Sequence, residues 1–223
     1  MRRLLPLLVA FAALTAGCGS ADPAQPAAAQ PDDRWERLPD PPLTPRNGAV
    51  GAWTGDEVIV VGGDEWSCPP NASCAVPEFP PLADGAAYDP DSDTWRSIAD
   101  APVPFAWAET AVLGDTVYFW LPATGRVGTR PAFLGYSPAT DTWAELAGPG
   151  VQATDSWYRL VAAGDRLVAW AGSDEQGERP DWSFDPAAAT WAQLPDDPLS
   201  DAFDREMAWA GDRIVLFDHE LVP

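Results

Sequence analysis

The chain has 223 residues and a net charge of −21, with 34 Asp and Glu against 13 Arg and no Lys. So acidic a body repels phosphate backbones and anionic lipid surfaces, which argues against direct binding of nucleic acid or electrostatic attachment to a membrane. It remains compatible with cations, basic partners and neutral glycans.

In chain order, Met1-Arg2-Arg3 and the apolar run Leu4 to Leu14 form a charged start and a core too short to span a bilayer. Leu14-Thr15-Ala16-Gly17-Cys18 follows, and it resembles the lipobox of bacterial lipoproteins, with Thr15 where Leu is usual. That resemblance implies a signal peptide over 1–17, lipidation of Cys18 and an extracytoplasmic, lipid-anchored protein that meets the membrane only through its anchor. Residues 18–33, rich in Ala, Pro and Gln, read as an extended tether.

From residue 34 to 223 the apolar residues come in short runs, which predicts strands and no long helices. Val50-Gly51-Ala52-Trp53, Gly55-Asp56 and Val58-Ile59-Val60-Val61 read as two strands and a Gly-containing turn. The same order recurs around Gly114-Asp115, Gly164-Asp165 and Gly211-Asp212. Tyr88-Asp89-Pro90 then ends a third strand, and Thr94-Trp95 begins a fourth; Tyr136 to Trp143 and Phe184 to Trp191 repeat this. Trp95, Trp143 and Trp191 are spaced 48 residues apart, a period typical of units that bury their faces only against neighbouring units.

This order of landmarks resembles the kelch repeat over about residues 35–217, with Gly62-Gly63 keeping the family's double glycine in the first unit alone. The resemblance implies an all-β fold, a kelch-type β-propeller of four-stranded blades like the central domain of galactose oxidase. Trp35 to Leu43 parallels Trp191 to Leu199, so the chain is read as opening on an outermost strand. Met207 to Phe217 supplies only two strands of the last unit. The expectation is therefore three complete blades plus a partial fourth, a truncated ring.

Cys68 and Cys74 bracket an insertion peculiar to the first unit, and in an exported protein such a pair favours a disulfide. A zinc centre needs four N or S ligands, and these two with the single histidine, His219, fall short, so no metal and no cofactor is expected. Asp89-x-Asp91-x-Asp93 invites a calcium reading, but Thr94 and Asp100 occupy the places of the required Gly and Glu, and the other units lose most of these carboxylates. A turn-forming role is the reading taken. Of the twelve tryptophans, Trp35, Trp95, Trp143, Trp191, Trp120, Trp170, Trp53 and Trp209 fall at repeated places and are assigned to packing between units. Trp66, Trp107, Trp157 and Arg46 are the ligand-binding candidates. A Ser-His-Asp or Cys-His arrangement would have to recruit His219, and the copper chemistry of galactose oxidase needs two histidines and a Tyr-Cys cross-link. No catalytic residue is assigned. The reading is a binding or scaffolding module for a protein or glycan, its alternative the N-terminal fragment of a carbohydrate-active envelope enzyme with catalytic residues in missing blades.

Overall fold

A computed structural model describes residues 35–69, 71–75, 79–150, 158–172, 179–197 and 205–217. The signal and tether segments, Cys18, Trp157 and His219 lie outside them. The chain divides into two compact units, Met1–Arg37 and Leu38–Pro223. Of the first, only 35–37 are described, exposed and without regular structure.

The second unit holds fourteen strands among the described residues and no helix. Three antiparallel sheets have four strands each, in simple sequential order. The first comprises β1 (Val50–Trp53), β2 (Val58–Val61), β3 (Gly85–Asp89) and β4 (Thr94–Ile98). The second comprises β5 (Glu109–Leu113), β6 (Thr116–Leu121), β7 (Ala132–Ser137) and β8 (Thr142–Leu146). The third comprises β9 (Tyr158–Ala163), β10 (Arg166–Ala171), β11 (Trp182–Asp185) and β12 (Thr190–Gln193). A fourth pairs β13 (Glu206–Trp209) with β14 (Ile214–Phe217). The first strands of consecutive sheets are neighbours, β1 beside β5, β5 beside β9 and β9 beside β13. The four sheets remain separate and do not close on one another.

Local chemistry explains each hairpin. In β5–β6 and β9–β10 the Gly-Asp pair is the whole two-residue loop, and Gly114 and Gly164 take φ of +58° and +66°, which glycine adopts without a Cβ penalty. At the β3–β4 turn, Asp89 Oδ1 accepts the amide of Asp91 at 2.8 Å, and Asp185 accepts that of Ala187 at 3.0 Å in the third sheet. These are Asx turns, so the first carboxylate of the acidic triplet has a structural task. Its last, Asp93, accepts the Tyr88 hydroxyl at 2.7 Å, and Asp141 accepts that of Tyr136 at 2.8 Å. In the third sheet Phe184 and Ala189 stand at these places, so donor and acceptor are lost together. Burial and the Asp141 carboxylate push the Tyr136 phenol up to about 12, so it keeps its proton and donates across the working pH range.

The repeated tryptophan ties each sheet to the segment before it. Trp143 Nε1 donates to the carbonyl of Ala99 at 2.8 Å, and Trp191 Nε1 to that of Ala147 at 2.8 Å. Trp95 Nε1 donates to Pro39 at 3.0 Å, so Pro39 does for the first sheet what Ala99 and Ala147 do for the next two. Asp141 adds a second tie by accepting the Ala99 amide at 2.8 Å, which holds its carboxyl below the usual range.

Two cores result. One joins Ile59, Val61, Ala87 and Ile98 of the first sheet to Val117, Phe119, Leu134 and Tyr136 of the second. The other joins Tyr118, Trp120 and Phe133 to Tyr158, Leu167, Ala169 and Phe184 of the third. Packing between units holds for Trp120, buried in the core shared by the second and third sheets, and for the half-buried Trp143 and Trp191, which pack against the two cores; Trp170 is buried and Trp95 half-buried. It fails for Trp53, which is 52% exposed, because no described sheet precedes the first. Trp35, assigned to the same packing, is likewise exposed.

Trp143→Phe removes the indole donor and keeps most of the ring, so it is expected to cost about 1 kcal/mol, against about 3–5 kcal/mol for Trp143→Ala. Urea denaturation measures both. A Phe variant as stable as the wild type would show that the bond to Ala99 contributes nothing.

Candidate functional site

Antiparallel order puts the short hairpin turns of every sheet at one end and the longer connections at the other. The described residues of 62–84, together with 99–108 and 122–131, belong to that second end, where loops on a rigid scaffold commonly carry binding residues. Its framework is a backbone bridge in which the amides of Asn47 and Asp64 donate to each other's carbonyls at 2.7 and 2.8 Å.

Three of the four expected ligand-binding residues converge on that bridge, and the fourth, Trp157, lies outside the described residues. Arg46 grips the Asp84 carboxylate with both terminal nitrogens, at 2.8 and 3.0 Å, and also donates to the carbonyls of Gly62 and Thr44. Its side chain is buried, and hydrogen bonding to it holds the Asp84 carboxyl below its ordinary range. Arg46 is thus occupied in fixing the loop. Trp66 is half-buried, with its amide donating to Asp64 Oδ1 at 3.1 Å.

Trp107 is different. It takes φ of +64°, a left-handed conformation that costs a bulky side chain on the order of 1 kcal/mol or more. Its amide donates to the Gly48 carbonyl at 2.9 Å, and its ring lies so close to Gly48 that a Cβ there would stand 2.7 Å from the indole Cε2. Gly48 has to be glycine for the ring to rest on the backbone. The side chain remains 57% exposed, an aromatic platform propped from below.

Beside this platform lies a charge pair that the sequence did not announce. Asp64 is only 3% exposed and accepts Arg126 Nη1 at 2.7 Å, across 62 residues of chain. Nε and Nη2 of Arg126 are buried without a hydrogen-bond partner. Cys68 and Cys74 stand at disulfide distance, Cα to Cα 5.9 Å, and close the connection that carries Trp66. Phe79 and Val127 are exposed on the same end, where Pro80 approaches Gly128.

The first strands of the sheets add a second charged group. Glu109, Arg159 and Glu206 hold the same register place, opposite Trp120, Trp170 and Phe217, where the first sheet has Val50 opposite Val61. Arg159 Nη2 lies 3.5 Å from Glu206 Oε1. Burial pushes the Glu109 carboxyl above its usual range, with Arg159 opposing and Glu206 reinforcing the shift. The signal for this trio was present in the sequence as three charged residues five positions before Gly-Asp, in strands otherwise apolar or small. Arg126 carried no such signal, since nothing local marks its partner.

At the opposite end a cavity of about 230 Å³ opens between the first two sheets, lined by Thr54, Asp56, Glu57, Asp115 and Thr116. Arg96 already grips Glu57 there at 2.9 and 2.6 Å. No protein-family model matches the chain, and no curated protein matches its sequence.

Asp64→Ala leaves the Arg126 guanidinium buried and uncompensated, so it is expected to destabilise by about 3–5 kcal/mol. The double change Asp64→Ala with Arg126→Met should recover a large part of that loss. Denaturation midpoints of both single variants and the double provide the check; losses that simply add in the double would show that the pair is not coupled.

Proposed function

We propose that residues 34–223 form part of a kelch-type β-propeller and act as an extracytoplasmic binding module for a glycan or protein ligand, tethered by lipid on Cys18. The adjacency of the first strands of successive sheets supports blades set about a shared axis. The repeated tryptophan-to-carbonyl bonds support successive units in one array. The disulfide-distance pair Cys68 and Cys74 fits an oxidising compartment.

The observation that carries the binding role is Trp107, an exposed ring held in a strained backbone conformation at the end where the long connections gather. Strain kept at an exposed aromatic residue is characteristic of ligand contact, where a fixed platform stacks on a sugar ring or an apolar side chain with little entropy to lose. A second reading, a carbohydrate-active envelope enzyme, has one observation in its favour: Glu109 has the raised carboxyl of a general acid and lies near a second carboxylate, Glu206.

Titration with soluble cell-wall glycan fragments, followed by tryptophan fluorescence, tests both. Binding that weakens at least about tenfold in Trp107→Ala, with the melting temperature unchanged and no reducing sugar released, supports the module. Release of reducing sugar that Glu109→Gln abolishes supports the enzyme. Absence of glycan binding confines the proposal to protein ligands.

The anchor is tested separately. Wild-type protein is expected to incorporate a labelled fatty acid in a bacterial host, and Cys18→Ala to incorporate none. Equal labelling of the two would refute lipidation at Cys18.

A further inference from the structure

We propose that the cavity between the hairpin turns of the first two sheets binds a primary amine carried on a hydrocarbon stem, either a free alkylamine or the side chain of a lysine.

The cavity has a cause within the repeat. At the junction of the third and fourth sheets, Trp209 stands two residues before its turn glycine and rests on the preceding turn. Its ring lies 3.6 Å from where a Cβ on Gly164 would stand. At the junction of the first two sheets the same place holds Val112, and a Cβ on Gly55 would meet nothing within 4 Å. Valine in place of an indole leaves a hollow of about 230 Å³, walled by Val112, Val117, Pro138 and Ala139 and lined also by Asp56 and Asp115. That volume is below the roughly 300–1,000 Å³ of drug-sized sites, so it suits a small molecule or one side chain.

The polar groups decide the charge of the occupant. The residue after the turn aspartate is an arginine in the third and fourth sheets. Arg213 grips Asp212 at 2.9 and 2.8 Å, and Arg166 approaches Asp165 to 3.9 Å. In the first two sheets that residue is Glu57 or Thr116, and the carboxylates of Asp56 and Asp115 have no partner among the described residues. The remaining polar groups are committed. Arg96 holds both oxygens of Glu57, and the Thr54 hydroxyl donates to the Glu57 carbonyl at 3.0 Å and accepts its amide at 2.9 Å.

A hydrocarbon-walled hollow with Asp56 and Asp115 at its lining therefore lacks the cation that the other turns supply from within the chain. A charged head on an apolar stem meets both demands at once. A hard metal ion would gain nothing from the aliphatic walls, since its ligands are oxygens. The three N–H groups of an ammonium can be shared by carboxylates on two separate turns, whereas the planar guanidinium fork matches a single carboxylate. The site lies at the end opposite Trp107 and does not rest on the ligand reading there, so Trp107→Ala should bind amines as the wild type does.

Isothermal titration calorimetry on the full chain in mild detergent tests it, with cadaverine, a capped lysine peptide flanked by glycines, and pentanol as the neutral analogue. At least one of the two amines should bind and pentanol should not; the tighter binder shows whether a free amine or a polypeptide lysine is the source. Asp56→Asn and Asp115→Asn should each weaken binding at least about tenfold, because Asn keeps the hairpin turn and removes the charge. Ala139→Phe narrows the cavity at constant charge and should weaken binding with the melting temperature unchanged. Asp165→Asn removes the same charge from an equivalent turn and should bind as the wild type does. A wild type that binds neither amine overturns the proposal. So does a loss in Asp165→Asn equal to that in Asp56→Asn, since the attraction would then belong to the acidic molecule as a whole. Pentanol binding as tightly as the amines overturns it too.

Discussion

An indole N–H that must find an acceptor at the boundary between sheets organises this molecule. Apolar sheet faces attract one another without direction, so burial alone would let adjacent sheets slide. The bonds from Trp95, Trp143 and Trp191 to Pro39, Ala99 and Ala147 remove that freedom by joining each fourth strand to one carbonyl. The same rings pack, tilted by 40–43°, against Tyr88, Tyr136 and Phe184 of their own sheets, with centroids 4.8–5.1 Å apart. One side chain thereby fixes both the hairpin and its neighbour. The tryptophan is present in all three sheets, while the third has Phe184 and Ala189 where the others have a tyrosine hydroxyl and a carboxylate. The Tyr–Asp bond lies within one hairpin, and although Asp141 also accepts the Ala99 amide, only the tryptophan bond to the preceding segment recurs in all three sheets.

The strands, their hairpins and their order were legible because they depend on local signals. Gly-Asp before an apolar run, and Tyr-x-Pro seven residues before Trp, specify backbone geometry wherever they occur. The acidic triplet was legible for a similar reason: its neighbours in the repeat lose the carboxylates and keep the turn. What escaped was nonlocal. Asp64 and Arg126 are 62 residues apart and neither belongs to the repeat. Trp53 was placed in the interior because its equivalents pack, yet its exposure depends on a neighbour that the repeat pattern does not count. Arg46 was readable as a charged residue at an inner-strand start, but its saturation by Asp84, Gly62 and Thr44 depends on how the connection after β2 folds back.

Charge distribution narrows what the end bearing the long connections can receive. Eight described arginines, at 46, 96, 126, 130, 159, 166, 205 and 213, each lie within ion-pair distance of a carboxylate. The scarce positive charge is consumed within the fold, where a guanidinium can satisfy several acceptors at once. The surplus of acids remains to set the outer field. Under the proposed binding role, Trp107 would offer a ligand an aromatic face on a strongly acidic molecule. Phosphorylated or strongly anionic ligands are repelled before contact, because the nearby Arg46 is already neutralised by Asp84. Neutral sugars and basic protein segments meet no such barrier. Stacking on the exposed Trp107 ring is then the attraction that the proposed binding role would draw on most.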